Sequence, residues 1–181
     1  GPTSTQSVVT VVPLPAEEMK GRIIGKEGRN IRTFEALTGV NVLIDDSSDQ
    51  VTLSSFDAER REVAAVALEA LIADGRIHPQ RIELAYAEAL AGARDRAVAA
   101  GHEAAERAGV VGLHPEVVET LGRLRLRVSY GQNVLAHLVE SAQLAALMAA
   151  EIGADVATAR RAAFLHDLGK GSTLDHSVAG A

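Results

Sequence analysis

Cysteine is missing from this 181-residue chain, which excludes disulfides, thiolate metal ligands and a cysteine nucleophile. Tryptophan is missing too, and aromatic residues make up 3% of the chain against 47% hydrophobic residues overall. The core must therefore be built from Ala, Leu, Val and Ile. No apolar run reaches the roughly 18 residues needed to cross a bilayer, and no basic stretch followed by an apolar one opens the chain, so neither a membrane span nor a signal peptide is expected. Basic residues are in the minority, 18 Lys and Arg against 24 Asp and Glu, for a formal net charge of −6. That excludes a wholly basic nucleic-acid coat but leaves room for a local basic patch. The length suits one domain or two small ones. Gly1-Pro2 reads as the remnant of a protease-cleaved tag, and residues 1–7 as a disordered lead.

Composition shifts near residue 78. Before it, strand and helix signals alternate; after it, they are almost purely helical and rich in Ala. Val8 to Leu14 form a β-branched run closed by Pro15, with Pro13 marking a strand end or an edge. Ala16 to Ile24 reads as a short helix, and Asn30 to Thr38 as a second one stopped by Gly39. Val40, Val42 and Ile44 alternate with polar or outward positions, and Val51, Leu53 and Phe56 resume the sheet after the Asp46–Asp49 turn. Asp57 is placed to cap a long helix that ends near Gly75. The order is β-α-α-β-β-α: an α+β domain with a three-stranded sheet covered by helices on one side. Pro79 opens an Ala-rich stretch over 80–108, one helix or two broken near Gly92 or Gly101, with so thin an apolar face that it reads as a spacer or packing arm. Amphipathic helices follow over Tyr130–Ile152 and Val156–Leu168, with Asp155 as the cap of the second.

The segment from Lys20 to Arg32 carries five basic residues (Lys20, Arg22, Lys26, Arg29 and Arg32) against Glu27 alone, a local charge of +4 in an acidic chain. Within it, Gly25-Lys26-Glu27-Gly28 separates the two short helices. Paired glycines without Cβ atoms permit close approach of a ligand backbone, and the following helix N-terminus offers free amides to a phosphate. The spacing is not that of a dinucleotide or phosphate-loop fingerprint. The bland alternative is a tight inter-helix turn with ordinary surface cations.

This loop, set in this element order, resembles the KH fold of type I. In that family a Gly-x-x-Gly loop between two helices clamps about four nucleotides of single-stranded RNA. The resemblance implies that Gly25, Lys26, Glu27 and Gly28 form the clamp, that Arg22, Lys26, Arg29 and Arg32 face phosphates, and that Ile23, Ile24, Ile31, Val42 and Ile44 line or support the base groove.

Of six histidines, His78 and His114 each precede a proline at a helix start and read as boundary residues, and His102 faces solvent. His166-Asp167 ends an apolar helical run and is followed by Gly169-Lys170. Adjacent imidazole and carboxylate at a helix end can chelate one divalent cation, and a histidine from a facing helix, such as His137, completes much of the shell. A hydrogen-bonded pair is the plainer reading.

The constellation of His137, His166 and Asp167 resembles the HD metal-dependent phosphohydrolase superfamily. The surrounding sequence narrows the likeness. Gly21 to Asp46, Ile72 to Pro79, and the arginine-bearing Leu121 to His137 together resemble the ribonuclease Y family over about residues 8–178. The resemblance implies a KH RNA-binding domain over 8–78, linking helices over 79–113 and the first part of an all-α HD domain over 114–181. It further implies metal ligands at His137, His166 and Asp167 for Mn²⁺, Mg²⁺ or Zn²⁺, with Lys170 positioning the scissile phosphate and Arg125 and Arg127 as electrostatic neighbours. The activity implied is endoribonucleolytic: metal-dependent hydrolysis of internal phosphodiester bonds in single-stranded RNA, leaving a 5′-phosphate and initiating mRNA decay. Two departures stand out. Leu138 follows the first metal histidine where the family carries Ser, and the family's distant metal Asp has no counterpart before Ala181, so His176 is a surface histidine or an accessory to a second metal.

The chain is accordingly expected to be an internal part of a longer bacterial protein. Its N-terminal membrane anchor, on the cytoplasmic face, would be absent here, and this part would be soluble, without membrane contact or nuclease activity of its own. Ala142, Leu144, Leu147, Met148, Phe164 and Leu165 are expected to be exposed and to drive self-association. Single-stranded RNA, a second copy and other RNA-decay proteins are the expected partners, and DNA is not. Two other classes stay open: a standalone KH module with a structural helical tail, and an HD-type nucleotide phosphohydrolase.

Overall fold

The computed structural model describes residues 8–129 and 132–168, and the chain divides into two compact units at the Ala93–Arg94 junction. The first holds β1 (Val9–Pro13), α1 (Glu18–Ile24), α2 (Arg29–Thr38), β2 (Asn41–Ile44), β3 (Gln50–Ser54), α3 (Ala58–Asp74) and α4 (Pro79–Ala91). The order β-α-α-β-β-α is the one the sequence predicts. The sheet is antiparallel with strand order β1-β3-β2. Val51 pairs with Val12 on one side and Ile44 on the other, and Leu53 with Thr10 and Val42. This register turns Val12, Val42, Val51 and Leu53 onto the covered face, where they pack with Ile23, Phe34, Leu68 and Leu71. Alternation does the sorting: Val11 and Leu43, both paired with Thr52, point to the opposite face and are exposed. Pro13 closes β1, an edge strand, where a missing N–H does least harm.

Phe56 departs from expectation. It is 95% exposed and lies past the end of β3, because the chain there turns toward the start of α3. The Asp57 carboxylate accepts hydrogen bonds from the Glu59 and Arg60 amides at 3.0 and 3.2 Å, satisfying two of the free donors at that terminus. Asp57→Ala is expected to lower unfolding stability by about 1 kcal/mol, read as a reduced urea midpoint at unchanged slope. The Ala-rich stretch breaks at Gly92, and α4 inserts Ile82, Ala85 and Ala89 into the first core.

The second unit comprises α5 (Ala93–Ala108), α6 (Pro115–Arg123), the two-residue strands β4 (Val128–Ser129) and β5 (Gln132–Asn133), α7 (Val134–Ile152) and α8 (Val156–Leu165). Gly101 lies inside α5 and does not break it. A Cβ built on Gly101 would sit 1.9 Å from the Val118 carbonyl oxygen, and one on Gly122 only 1.6 Å from that of Ala97, so the α5 and α6 backbones touch where these glycines lie. The helix predicted from Tyr130 begins at Val134. Asn133 caps it, accepting from the Ala136 amide at 3.0 Å, while Gln132 and Asn133 pair with Val128 and Ser129. Asp155 caps α8 as expected, and the hydrogen bond from the Thr158 amide (2.9 Å) holds its carboxyl below the usual carboxylate range.

Helix α7 has two apolar faces. Leu135, Leu138, Val139, Ala142, Ala146 and Ala149 are buried, whereas Leu144, Leu147, Met148 and Ile152 are between 59% and 80% exposed. Ala142 and Phe164, expected at the surface, are instead fully buried. With aromatics so scarce, Phe164 is the largest fully buried side chain among the described residues, and α8 lays it against α7 and the end of α5. Helix α7 is also the one helix among the described residues long and apolar enough to cross a membrane by length and composition. Both apolar faces contribute to that hydropathy, and one of them is already in the core.

Candidate nucleic-acid interface and metal centre

Helix α1 ends at Ile24 and α2 begins at Arg29, and the four residues between them fold into a single tight turn. Gly25 and Gly28 take φ of +74° and +72°, and Glu27, between them, takes +56°, the only positive φ at a non-glycine among the described residues. Positive φ at three of four positions, left-handed at Glu27 and Gly28, turns the chain sharply. The Gly28 amide closes the turn on the Gly25 carbonyl at 3.1 Å. Arg32 reaches back along α2 and donates from Nη1 to the Glu27 carbonyl at 2.5 Å, stabilising the strained residue.

The cations divide into two groups. Lys26 and Arg29 are exposed, and their side chains make no hydrogen bond or ion pair among the described residues. Arg22 and Arg32 are exposed but anchored, Arg22 Nη1 donating to the Gly75 carbonyl at 3.1 Å. Lys20 does not belong with them: it is 6% exposed, and its Nζ donates to the Asp45 and Asp46 carbonyls at 3.0 and 3.2 Å and pairs with Glu17 at 3.2 Å. Its charge is spent on the β2–β3 turn, so four cations and Glu27 face the loop's surroundings. The expected groove residues divide likewise. Ile23 and Val42 are buried core, while Ile24, Ile31 and Ile44 keep accessible surface.

Asn30 escaped the sequence reading. It is 8% exposed, and Nδ2 donates to the Arg22 and Ile77 carbonyls at 2.9 and 3.0 Å. One signal was available: Asn30 stands one helical turn before Phe34 and two before Thr38, and all three are buried on one stripe of α2.

In the second unit, His166 and Asp167 follow the end of α8. His166 Nδ1 lies 2.5 Å from the Ala163 carbonyl oxygen; a carbonyl only accepts, so Nδ1 carries the hydrogen. His166 Nε2 then faces Asp167 Oδ2 at 3.0 Å. Two ligands at about 2.1 Å from one ion and at right angles, as in an octahedral shell, stand about 3 Å apart, a separation the pair matches. His137 is exposed on the first turns of α7, away from that helix's buried face. Among the described residues no three His, Asp or Glu side chains stand close enough to hold a metal. Lys170 and His176 lie outside the described residues. Leu138, next to His137, is fully buried in the second core. Arg125 and Arg127 are half-buried, and Arg125 Nη1 donates to the Gly122 carbonyl at 2.9 Å. His114 caps α6, its Nδ1 accepting from the Glu116 amide at 3.1 Å.

A KH domain model matches residues 9–70 and an HD domain model residues 134–181. Ribonuclease Y of Frankia alni is 60% identical over 178 residues, 98% of this chain and 24% of that protein. Ribonuclease Y of Thermobifida fusca is 56% identical over 181 residues, 100% of this chain and 36% of that protein. That of Thermus thermophilus is 56% identical over 179 residues, 99% of this chain and 31% of that protein. The chain thus spans between 24% and 36% of the length of these curated relatives. No solved structure matches it.

Proposed function

This chain is homologous to ribonuclease Y along nearly all of its length, with a KH domain at residues 9–70 and an HD-domain match at 134–181, and on that footing we propose that it is part of a bacterial endoribonuclease that initiates mRNA decay. The substrate is single-stranded RNA and the bond broken is an internal phosphodiester. One observation supports the reading: the likeness to ribonuclease Y extends over 98% to 100% of this chain and so takes in both the Gly-x-x-Gly turn and the His-Asp pair.

The chain's own residues divide the work. Lys26 and Arg29, exposed and free among the described residues, meet phosphates, while the left-handed turn lets the RNA backbone approach Gly25 and Gly28. Holding RNA in the first unit raises its effective concentration at the second. His166 and Asp167 supply two donors 3.0 Å apart, and the hydrogen bond to Ala163 fixes the imidazole's orientation. His137, which is not grouped with that pair among the described residues, is assigned as a third ligand in the longer protein, and Lys170 as the residue that orients the scissile phosphate. A divalent cation held by these residues would supply an activated water and offset charge on the phosphoryl oxygens. A membrane anchor on the cytoplasmic face and contacts with other RNA-decay proteins belong to the longer protein in this reading.

The test is a chimera in which this chain replaces the matching segment of the Thermobifida fusca ribonuclease Y. It is expected to cleave single-stranded RNA with Mn²⁺ or Mg²⁺. Changing His166 and Asp167 together to alanine is expected to remove more than about a hundredfold of that activity, beyond the range seen for outer-shell partners. Undiminished cleavage by the double variant would remove the pair from the mechanism. The 181-residue chain alone is expected to be inactive in the same assay.

The exposed stripe of Leu144, Leu147, Met148 and Ile152 supports self-association of the isolated chain. Light scattering is expected to report a dimer or larger species that Leu144→Asp with Met148→Asp returns to monomer.

A further inference from the structure

The Gly-x-x-Gly turn is held from behind by one side chain. The Asn30 amide nitrogen donates both its hydrogens, one to the carbonyl of Arg22 at 2.9 Å and one to that of Ile77 at 3.0 Å. The first acceptor lies in the last turn of α1, just ahead of Gly25. The second lies in the segment between α3 and α4. Arg22 itself reaches that segment, donating to the Gly75 carbonyl at 3.1 Å. Asn30 also fills the space behind the turn: a Cβ on Gly25 would meet its Cγ and Nδ2, each at 2.7 Å. Gly25 is thus required by its φ of +74° and again by the amide packed against it.

We infer that Asn30 is the positioning residue of the RNA clamp. It is 8% exposed and acts through the Arg22 and Ile77 carbonyls, holding residues 25–28 so that Lys26 and Arg29 project together toward phosphates. The residue type follows from chemistry. Two carbonyls from distant parts of the chain converge on one atom, and a primary amide gives two hydrogens from one uncharged nitrogen. Aspartate has the same shape but no donor, and its carboxylate would face both carbonyl oxygens. The inference rests on the RNA-binding reading above, although the holding of the turn does not need RNA to be measured.

The experiment uses the full 181-residue chain and its Asn30→Asp and Asn30→Ser variants; serine removes the amide without adding charge and carries the test if the aspartate variant does not fold. The probe is a fluorescent single-stranded RNA of mixed sequence, titrated at several salt concentrations. Hydrogen exchange at the Gly25, Gly28 and Arg29 amides, which are hydrogen-bonded at the turn, is measured alongside that in β3. The expected result is binding weakened on the order of tenfold, the effect of two partly buried carbonyls left without their donor and a loosened turn. The slope of log affinity against log salt should also become shallower by about 0.7, one phosphate contact on a single strand. A mere loss of folded protein would lower apparent affinity and leave that slope alone. Exchange should accelerate in the turn and not in β3. Equal slopes and equal exchange in parent and variant overturn the inference. If the parent chain shows no salt-dependent RNA binding, the RNA reading itself fails, and the exchange data alone decide whether Asn30 holds the turn.

Discussion

Changing Lys26 and Gly28 together to aspartate is expected to weaken binding of single-stranded RNA at least about a hundredfold, with the fold intact. The charge argument is local. Four cations and Glu27 face the turn, and two of those cations, Lys26 and Arg29, have no partner among the described residues. Lys26→Asp reverses one of them. Gly28→Asp adds a second carboxylate 3.1 Å or so from Arg32 Nη1, measured from where its Cβ would lie, and so occupies a third cation. Aspartate tolerates the left-handed backbone that Gly28 adopts better than most residues do, so the variant remains a folded probe. Since each neutralised phosphate on a single strand contributes about 0.7 to the salt slope, the loss should come with a slope shallower by about 1.4. Fluorescence anisotropy with an RNA of about 12 nucleotides, within the range such sites occupy, reads both quantities. Retention of parental affinity and slope would place RNA binding elsewhere on the chain.

Gly122→Ala is expected to destabilise the second unit by at least about 3 kcal/mol, at or beyond the upper range for core overpacking. The new methyl would lie 1.6 Å from the Ala97 carbonyl oxygen and 2.4 Å from its carbon. Those are backbone atoms of α5, so no rotamer change relieves the clash; α5 and α6 must separate. Separation uncovers Val118 and Leu121, which are 2% and 0% exposed. Gly101→Ala meets the Val118 carbonyl in the same way, at 1.9 Å. Gly21→Ala is the matched control: nothing lies within 4 Å of its Cβ position, and replacing a helical glycine there should be neutral or stabilising by up to about 1 kcal/mol. Calorimetry should show the second unit melting early in Gly122→Ala while the first keeps its transition. A single unshifted transition would sink the close-crossing argument.

The parts of the fold legible in the sequence are those with local causes. Asp57, Asp155, Gly39 and Gly75 punctuate helices through bonds and backbone angles spanning a few residues, and each acts where the pattern places it. The β2–β3 hairpin follows from an alternation that a single buried face enforces. The Gly-x-x-Gly turn was readable because paired glycines, dense positive charge and the flanking helices lie within thirteen consecutive residues.

What the sequence left open concerns which surfaces meet. Lys20 counts toward the basic segment in the sequence, but the turn at Asp45–Asp46 folds over it. Ala142 and Leu144, two residues apart on α7, belong to one apolar set in the sequence, yet one is core and the other exposed. Helix α7 is apolar on both sides, and only the placement of α8 and Phe164 selects the side that is covered. Asn30 acquired its role from a carbonyl 47 residues away, and Gly101 and Gly122 from backbones that cross only in the assembled unit. Sequence by itself determined the element order, the caps, the hairpin and the charged turn, because hydrogen bonds and φ preferences act between near neighbours. Tertiary structure alone decided which polar groups are buried and which apolar face is used, because burial is a property of surfaces brought together from far along the chain.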